Sequence, residues 1–238
     1  MTDNVSAASG VGRIATAQPF SRMLRSRKLG LAFLLLAVAA GVLLYARGIA
    51  NSEAEAARIA ELTGLRPGMT VAEIGAGEGR MTVSIARRLG PGGHMFSTEL
   101  NPARLRDVQE AVAKAGLTNV TAVRGEERKT NLPERCCDAI FMRDVYHHFT
   151  DPAAMDASLL ESLRPGGLLA IVDFSPHWWL FWLRRPGGVP ENRGGHGVPQ
   201  RILIKEATRA GFLFDRAIDP WEHWPKSYCI VFRKPGIR

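Results

Sequence analysis

Residues 71–80 read VAEIGAGEGR, an apolar run that carries Glu73 and passes into glycines at 75, 77 and 79. Glycine lacks Cβ, so it reaches dihedrals closed to other residues and lets a ligand approach the backbone. Alternating glycines after a short apolar run suit a strand-to-helix turn that holds a nucleotide-like ligand. The spacing here is G-x-G-x-G. A dinucleotide fingerprint has its third glycine one position later, where this chain has Arg80, and the Gly-Lys-Ser/Thr of a Walker loop is absent. Further acids stand where such a ligand could meet them. Glu99 closes a second apolar segment 24 residues past Gly75, where a carboxylate can accept both hydroxyls of a ribose. Glu126 follows Gly125 after a third segment, in reach of an adenine edge. A later stretch, RDVYHHFTDP at 143–152, carries paired histidines, whose imidazoles can take a proton at neutral pH.

These groups depend on the elements that position them. A helix is expected from Asn51 or Ser52 through Leu62, because a cap and early acids precede Ala57, Ile59, Ala60 and Leu62. Strands are then expected at 71–74, 94–100, 119–125, 137–143 and 168–174, with helical patterns after the first, second and fourth of them. After the fifth comes the helix PQRILIKEATRAG, and then FLFDRAID and YCIVFRK follow each other directly, so this last pair is expected to be antiparallel. The alternation elsewhere requires parallel strands joined by right-handed crossovers, in an α/β domain with helices on both faces. In such a sheet a ligand lies at the carboxyl ends of the strands, where the three acids and the histidines fall.

The 238 residues suffice for one sizeable core plus extras. Of the net charge of +8, residues 1–50 contribute +5, leaving a nearly neutral body, so a nucleic-acid partner is not expected. Cys136, Cys137 and Cys229 form no C-x-x-C pair, and the adjacent two are expected to pack as small core residues. Residues 1–28 read as a flexible basic tail. Residues 29–46 (LGLAFLLLAVAAGVLLYA) are 18 uncharged positions, the lower limit for spanning a bilayer core of about 30 Å. A single transmembrane anchor is favoured over a cleaved signal peptide, although Gly48 to Ala50 would suit cleavage. The catalytic body is expected on the cytoplasmic side, but Arg25, Arg27 and Lys28 before the run leave the periplasmic side open.

The motifs VAEIGAGEG, STEL, VRGEE, CCDAIFMRDVYHHFTDP and LRPGGLLAIVDF, in this order, resemble those of class I S-adenosylmethionine-dependent methyltransferases, specifically the bacterial small-molecule type. The resemblance covers about residues 53–238 of a domain placed at 51–238. It implies a three-layer Rossmann-like fold with a seven-stranded sheet of order 3-2-1-4-5-7-6, the seventh strand antiparallel. It also implies S-adenosylmethionine as cofactor. By position, Glu73, Gly75, Ala76, Gly77 and Gly79 would border its methionine part, Glu99 with Leu100 its ribose, and Glu126 its adenine. Arg143, ending the fourth strand, joins this set. Glu126 departs from the commoner Asp at its position.

Methyl transfer from a sulfonium requires alignment and exclusion of water, and a base only if the nucleophile starts protonated. His147 or His148 could be that base, and the Tyr146 ring could face the sulfonium. Asp144 and Asp173 have no third ligand in the sequence, so a metal is not expected. The insert at 175–197 groups Trp178, Trp179, Phe181 and Trp182 with Arg184 and Arg185, suited to a membrane interface, a lid or a packed helix. The expected function is therefore methyl transfer to a small apolar or amphipathic acceptor. A lipid-soluble, quinone-like ring would explain anchor and insert together. A protein side-chain acceptor, or a non-catalytic or exported domain, is the alternative.

Overall fold

In the computed structural model, residues 20–176, 197–221 and 227–236 are described. The aromatic cluster at 178–185 and residues 1–19 lie outside them. By contact the chain divides between Gly48 and Ile49.

Helix α1 runs from Phe20 to Leu62. The expected start at Asn51 or Ser52 is thus a correction, since both residues lie inside the helix. The helix continues through residues 47–52, and the single glycine there, Gly48, costs only about 1 kcal/mol against alanine. The described side chains within the run, 33–43, are all exposed, Phe33 at 79% and Leu43 at 71%. Among the described residues, no helix is long and apolar enough to cross a membrane. The expected span is therefore not supported by them, and the side chains at 29–32 and 44–47 lie outside the described set.

The body alternates β1 (Thr70–Ile74), α2 (Arg80–Leu89), β2 (His94–Glu99), α3 (Pro102–Lys114), β3 (Val120–Arg124), β4 (Cys137–Arg143), α4 (Pro152–Ser162), β5 (Leu163–Phe174), α5 (Gln200–Arg209), β6 (Leu213–Ile218) and β7 (Ser227–Arg233). The strand order is β3-β2-β1-β4-β5-β7-β6, with β7 antiparallel to both neighbours, as the motifs and the consecutive final strands imply. Side chains alternate between faces along a strand, and here both faces are buried. Ala72, Ile74, Ile140, Met142, Leu169 and Ile171 pack with Leu159 of α4 and Leu203 of α5. Their neighbours Val71, Ala139, Phe141, Ala170 and Val172 pack with Ile59 of α1 and Ile85 of α2. Burial on both faces is what parallel strands require.

The register levels the carboxyl ends of the central strands. Ile74 pairs with Thr98 and with Met142, and Arg143 pairs with Val172. Gly75, Glu99, Arg143 and Asp173 therefore emerge along one edge, at the place where strand order reverses about β1 and β4.

Candidate active site

The glycine loop is built by three left-handed residues, Gly75, Gly77 and Gly79, at φ of 73°, 56° and 74°. The Gly75 and Ala76 N–H groups both donate to Thr98 O, at 2.9 and 3.0 Å, which turns the chain at once after β1. A Cβ on Gly75 would stand 2.4 Å from a methyl of Val145, so this glycine also lets the segment after β4 close on the loop. At Gly77 a Cβ would meet nothing within 4 Å, which leaves open room on that side of the loop.

Glu99 ties the loop to β2. Its Oε2 accepts the Gly77 N–H at 2.9 Å, and its Oε1 accepts those of Leu100 and Asn101 at 2.9 and 3.1 Å. Hydrogen bonds to an ionised acceptor are the stronger kind, so the carboxylate is held in one orientation. Oε2 keeps further acceptor capacity beside the open face of Gly77, and Leu100 is half exposed next to it. A carboxylate can accept from both hydroxyls of a diol, and an apolar side chain can pack on the face of a base. Glu126 is exposed. Its Oε1 accepts from Asn131 Nδ2 at 3.1 Å and its N–H donates to Lys129 O, closing the 126–131 loop next to Gly125, whose N–H reaches Glu99 O.

Glu73 is placed differently, only 4% exposed. Its Oε2 accepts from Thr82 Oγ1 at 2.6 Å, and Thr82 bonds Ser97 Oγ at 2.8 Å, so it joins β1, α2 and β2 within the packed layer. Burial pushes its carboxyl up to about 7, against an ordinary value of 4.5, with the Thr82 bond and Arg143 opposing the rise. Folded, Glu73 keeps its proton where the unfolded chain has lost it, so its contribution to stability is full below pH 4.5 and falls as pH rises to about 7. Glu73→Gln removes this pH dependence. The melting temperature of the native chain should fall between pH 5 and 7.5 relative to that of the variant, by an amount equivalent to about 3 kcal/mol at most. Parallel melting curves would refute the assignment.

Across the loop, the segment after β4 carries the histidines. Asp144 sits in the left-handed region at φ 55°, with its N–H on Val172 O at 2.9 Å, a strained conformation of the kind that clusters at functional sites. Partial desolvation raises its carboxyl, against the lowering effect of Arg143. The 3₁₀ turn Tyr146–His148 then sends its side chains in separate directions. Tyr146 is fully buried on the α4 and α5 side, its hydroxyl bonding Asp156 Oδ2 at 2.8 Å and Glu206 Oε2 at 3.2 Å, so it anchors the turn within the core. His147 is nearly buried. Its backbone N–H reaches Asp173 Oδ2 at 3.0 Å, and its Nδ1 lies 2.9 Å from Asp173 Oδ1. An N–H must face a carboxylate, which leaves the lone pair of the neutral ring on Nε2. His148 is exposed and packs on His147 with ring centroids 4.0 Å apart and planes inclined at 43°.

Several contributors are missed by sequence reasoning. Asp173 enters there only as one of two acids that lack a third metal ligand, yet it is fully buried and accepts the His147 and Phe174 N–H groups. An acid ending the apolar run LLAIVDF is the signal that could have found it. Glu55 of α1 is buried, accepts from Trp221 Nε1 at 3.0 Å, and lies 3.6 Å from Arg143 Nη1. Trp221 itself carries the Arg58 guanidinium over its ring at 4.1 Å. The charges of Glu99 and Glu55 raise the Glu73 carboxyl further, against the lowering effect of Arg143.

A family model described as a methyltransferase domain matches residues 71–167. The chain is 32% identical over 188 residues to the ubiquinone/menaquinone biosynthesis C-methyltransferase UbiE of Bordetella parapertussis, covering 73% of this chain and 72% of that protein. Among solved structures it is similar to a SAM-dependent methyltransferase of Aquifex aeolicus, with a TM-score of 0.62 and 24% identity over 75% of this chain and 89% of that one. It is also similar in fold to a SAM-dependent methyltransferase of Methanosarcina mazei, with a TM-score of 0.56 and 16% identity over 71% of this chain and 93% of that one.

Proposed function

Since the chain belongs to the class I S-adenosylmethionine-dependent methyltransferases, we propose that it methylates a ring carbon of a small, lipid-soluble, quinol-like acceptor, with His147 as the base. The observation that carries the reading is the His147–Asp173 pair, 2.9 Å apart, on a turn whose Val145 packs against the glycine loop.

Bound S-adenosylmethionine supplies an electrophilic methyl group on a sulfonium. Glu99 would hold the ribose hydroxyls, with Leu100 and Glu126 at the base. Gly75, Ala76, Gly77 and Gly79 give the loop its close approach, and Arg143 borders the methionine end. Glu73 supports the loop from within the packed layer and Tyr146 from within the core. Nε2 of His147 takes the phenolic proton of the acceptor, which raises electron density at the neighbouring ring carbons. Asp173 keeps the ring in the required tautomer and stabilises the imidazolium that results. His148 lies exposed beside His147.

The acceptor class rests on two supports. The relative from Bordetella parapertussis is named for C-methylation in quinone biosynthesis. The run 29–46 presents apolar side chains outward at 33–43, which would place the chain at a bilayer, where such an acceptor is dissolved. The test offers the full chain methyl-labelled S-adenosylmethionine with three acceptors: a prenylated hydroquinone lacking one ring methyl in lipid vesicles, its unprenylated analogue in buffer, and denatured lysate protein. Label should enter the prenylated ring first. Label confined to the buffer-soluble analogue would remove the lipid part of the reading, and label confined to protein would replace it.

A further inference from the structure

At the amino end of β4, opposite the edge that carries Gly75 and His147, the thiols of Cys136 and Cys137 lie 2.7 Å apart. Consecutive residues of a strand point to opposite faces, so this contact requires the chain to leave strand geometry there, and it does. Arg135 is left-handed at φ 50°, and the pairing of β4 with β5 slips between Cys137 and Ala139, a bulge of the kind that re-aims a side chain. The two sulfurs are brought to one side as a result. Cys137 is fully buried in the core, whereas Cys136 is half-buried and open to small solutes.

We propose that Cys136 and Cys137 form a redox-active vicinal dithiol that hydrogen peroxide converts into an intramolecular disulfide. The Cys136 sulfur attacks one peroxide oxygen; the S–O bond forms, the O–O bond breaks, and the departing oxygen leaves as water after taking a proton. The Cys137 sulfur then attacks the sulfenic sulfur of Cys136. The S–S bond forms, the S–O bond breaks, and the hydroxide leaves as a second water with the Cys137 proton. Two thiols are oxidised by two electrons and one peroxide is reduced.

The environment divides the roles in the same sense. The bond from Cys137, together with Arg164, holds the Cys136 thiol below its ordinary value, while that same bond and burial push Cys137 up. The first is the nucleophile and the second the resolving thiol. Consecutive Cα atoms lie about 3.8 Å apart, closer than most disulfides span, so the bond is readily reduced again and acts as a switch rather than a staple. Cys229, fully buried in β7 with its thiol pushed up to about 12, serves as an internal control.

The test treats the native full chain with hydrogen peroxide and then alkylates it with iodoacetamide after unfolding. The peptide containing Cys136 and Cys137 should lose two hydrogens and escape alkylation, dithiothreitol should restore both thiols, and Cys229 should be alkylated throughout. Cys136→Ser should abolish the mass loss, and Cys137→Ser should halt Cys136 at a sulfenic acid that dimedone traps. A native chain that gives only sulfinic or sulfonic acid at Cys136, or a bridge between two chains, would overturn the proposal. The native chain and Cys136→Ser decide the matter even if the buried Cys137→Ser variant does not fold.

Discussion

Glu99→Ala should lower the affinity for S-adenosylmethionine by roughly a hundredfold or more. Each hydrogen bond to a charged group contributes about 1.5–3 kcal/mol, and losing both ribose bonds removes about 3 kcal/mol at least, which is a factor of about a hundred. The alanine also releases the Gly77 N–H, which Oε2 now holds at 2.9 Å, so the loop is left tied to β2 only through the Gly75 and Ala76 bonds to Thr98 O. Glu99 is only half-buried and its three hydrogen bonds go to the loop and the following turn, so the sheet should survive the change. Calorimetric titration of the full chain measures this directly, with circular dichroism to verify the fold. Glu126→Ala provides the contrast. An exposed carboxylate facing a base edge contributes about one hydrogen bond, and a loss of roughly tenfold is expected. Equal losses in the two variants would mean that Glu99 is not the ribose ligand.

The second large effect is on turnover. His147→Ala should reduce kcat by roughly a hundredfold to ten-thousandfold, the range for removing a positioned general base, while cofactor affinity changes little. Asp173→Asn keeps the shape of a fully buried side chain but can present its amide N–H to Nδ1. The imidazole would then carry its proton on Nε2 and could not accept another, so this variant should approach the alanine variant in kcat. His148→Ala, at an exposed position, should retain most of the rate. If Asp173→Asn left kcat unchanged while His147→Ala abolished it, the tautomer argument would fail and His147 would act through packing alone.

What the sequence discloses about this protein follows the reach of local rules. The strand order and the antiparallel last strand are legible because strand and helix periods alternate cleanly until FLFDRAID and YCIVFRK. The position of Glu99 is legible because an acid ending a buried strand is conspicuous. The enclosure of Glu73 follows from the period of two as well, for it shares the face of Val71, which packs against α2. The tripeptide Tyr146–His148 is a different case. A 3₁₀ turn rotates successive side chains by about a third of a circle, so three neighbours of similar chemical promise end in the core, on Asp173 and in solvent. No spacing rule decides which goes where. The contacts of Glu55 with Trp221 and Arg143 join residues 166 and 88 positions apart, and only the folded chain brings them together. The start of α1 was obscured by an ordinary cap signal at Asn51 and Ser52 inside a helix that one glycine does not interrupt.

Carbon methylation is read from the carbon spectrum of the product formed by the full chain from methyl-¹³C S-adenosylmethionine and a prenylated hydroquinone in vesicles. With His147 as the base, a single labelled methyl bonded to a ring carbon is expected, formed by the native chain and lost in His147→Ala. A labelled methoxy carbon, or equal ring labelling by His147→Ala, would contradict it.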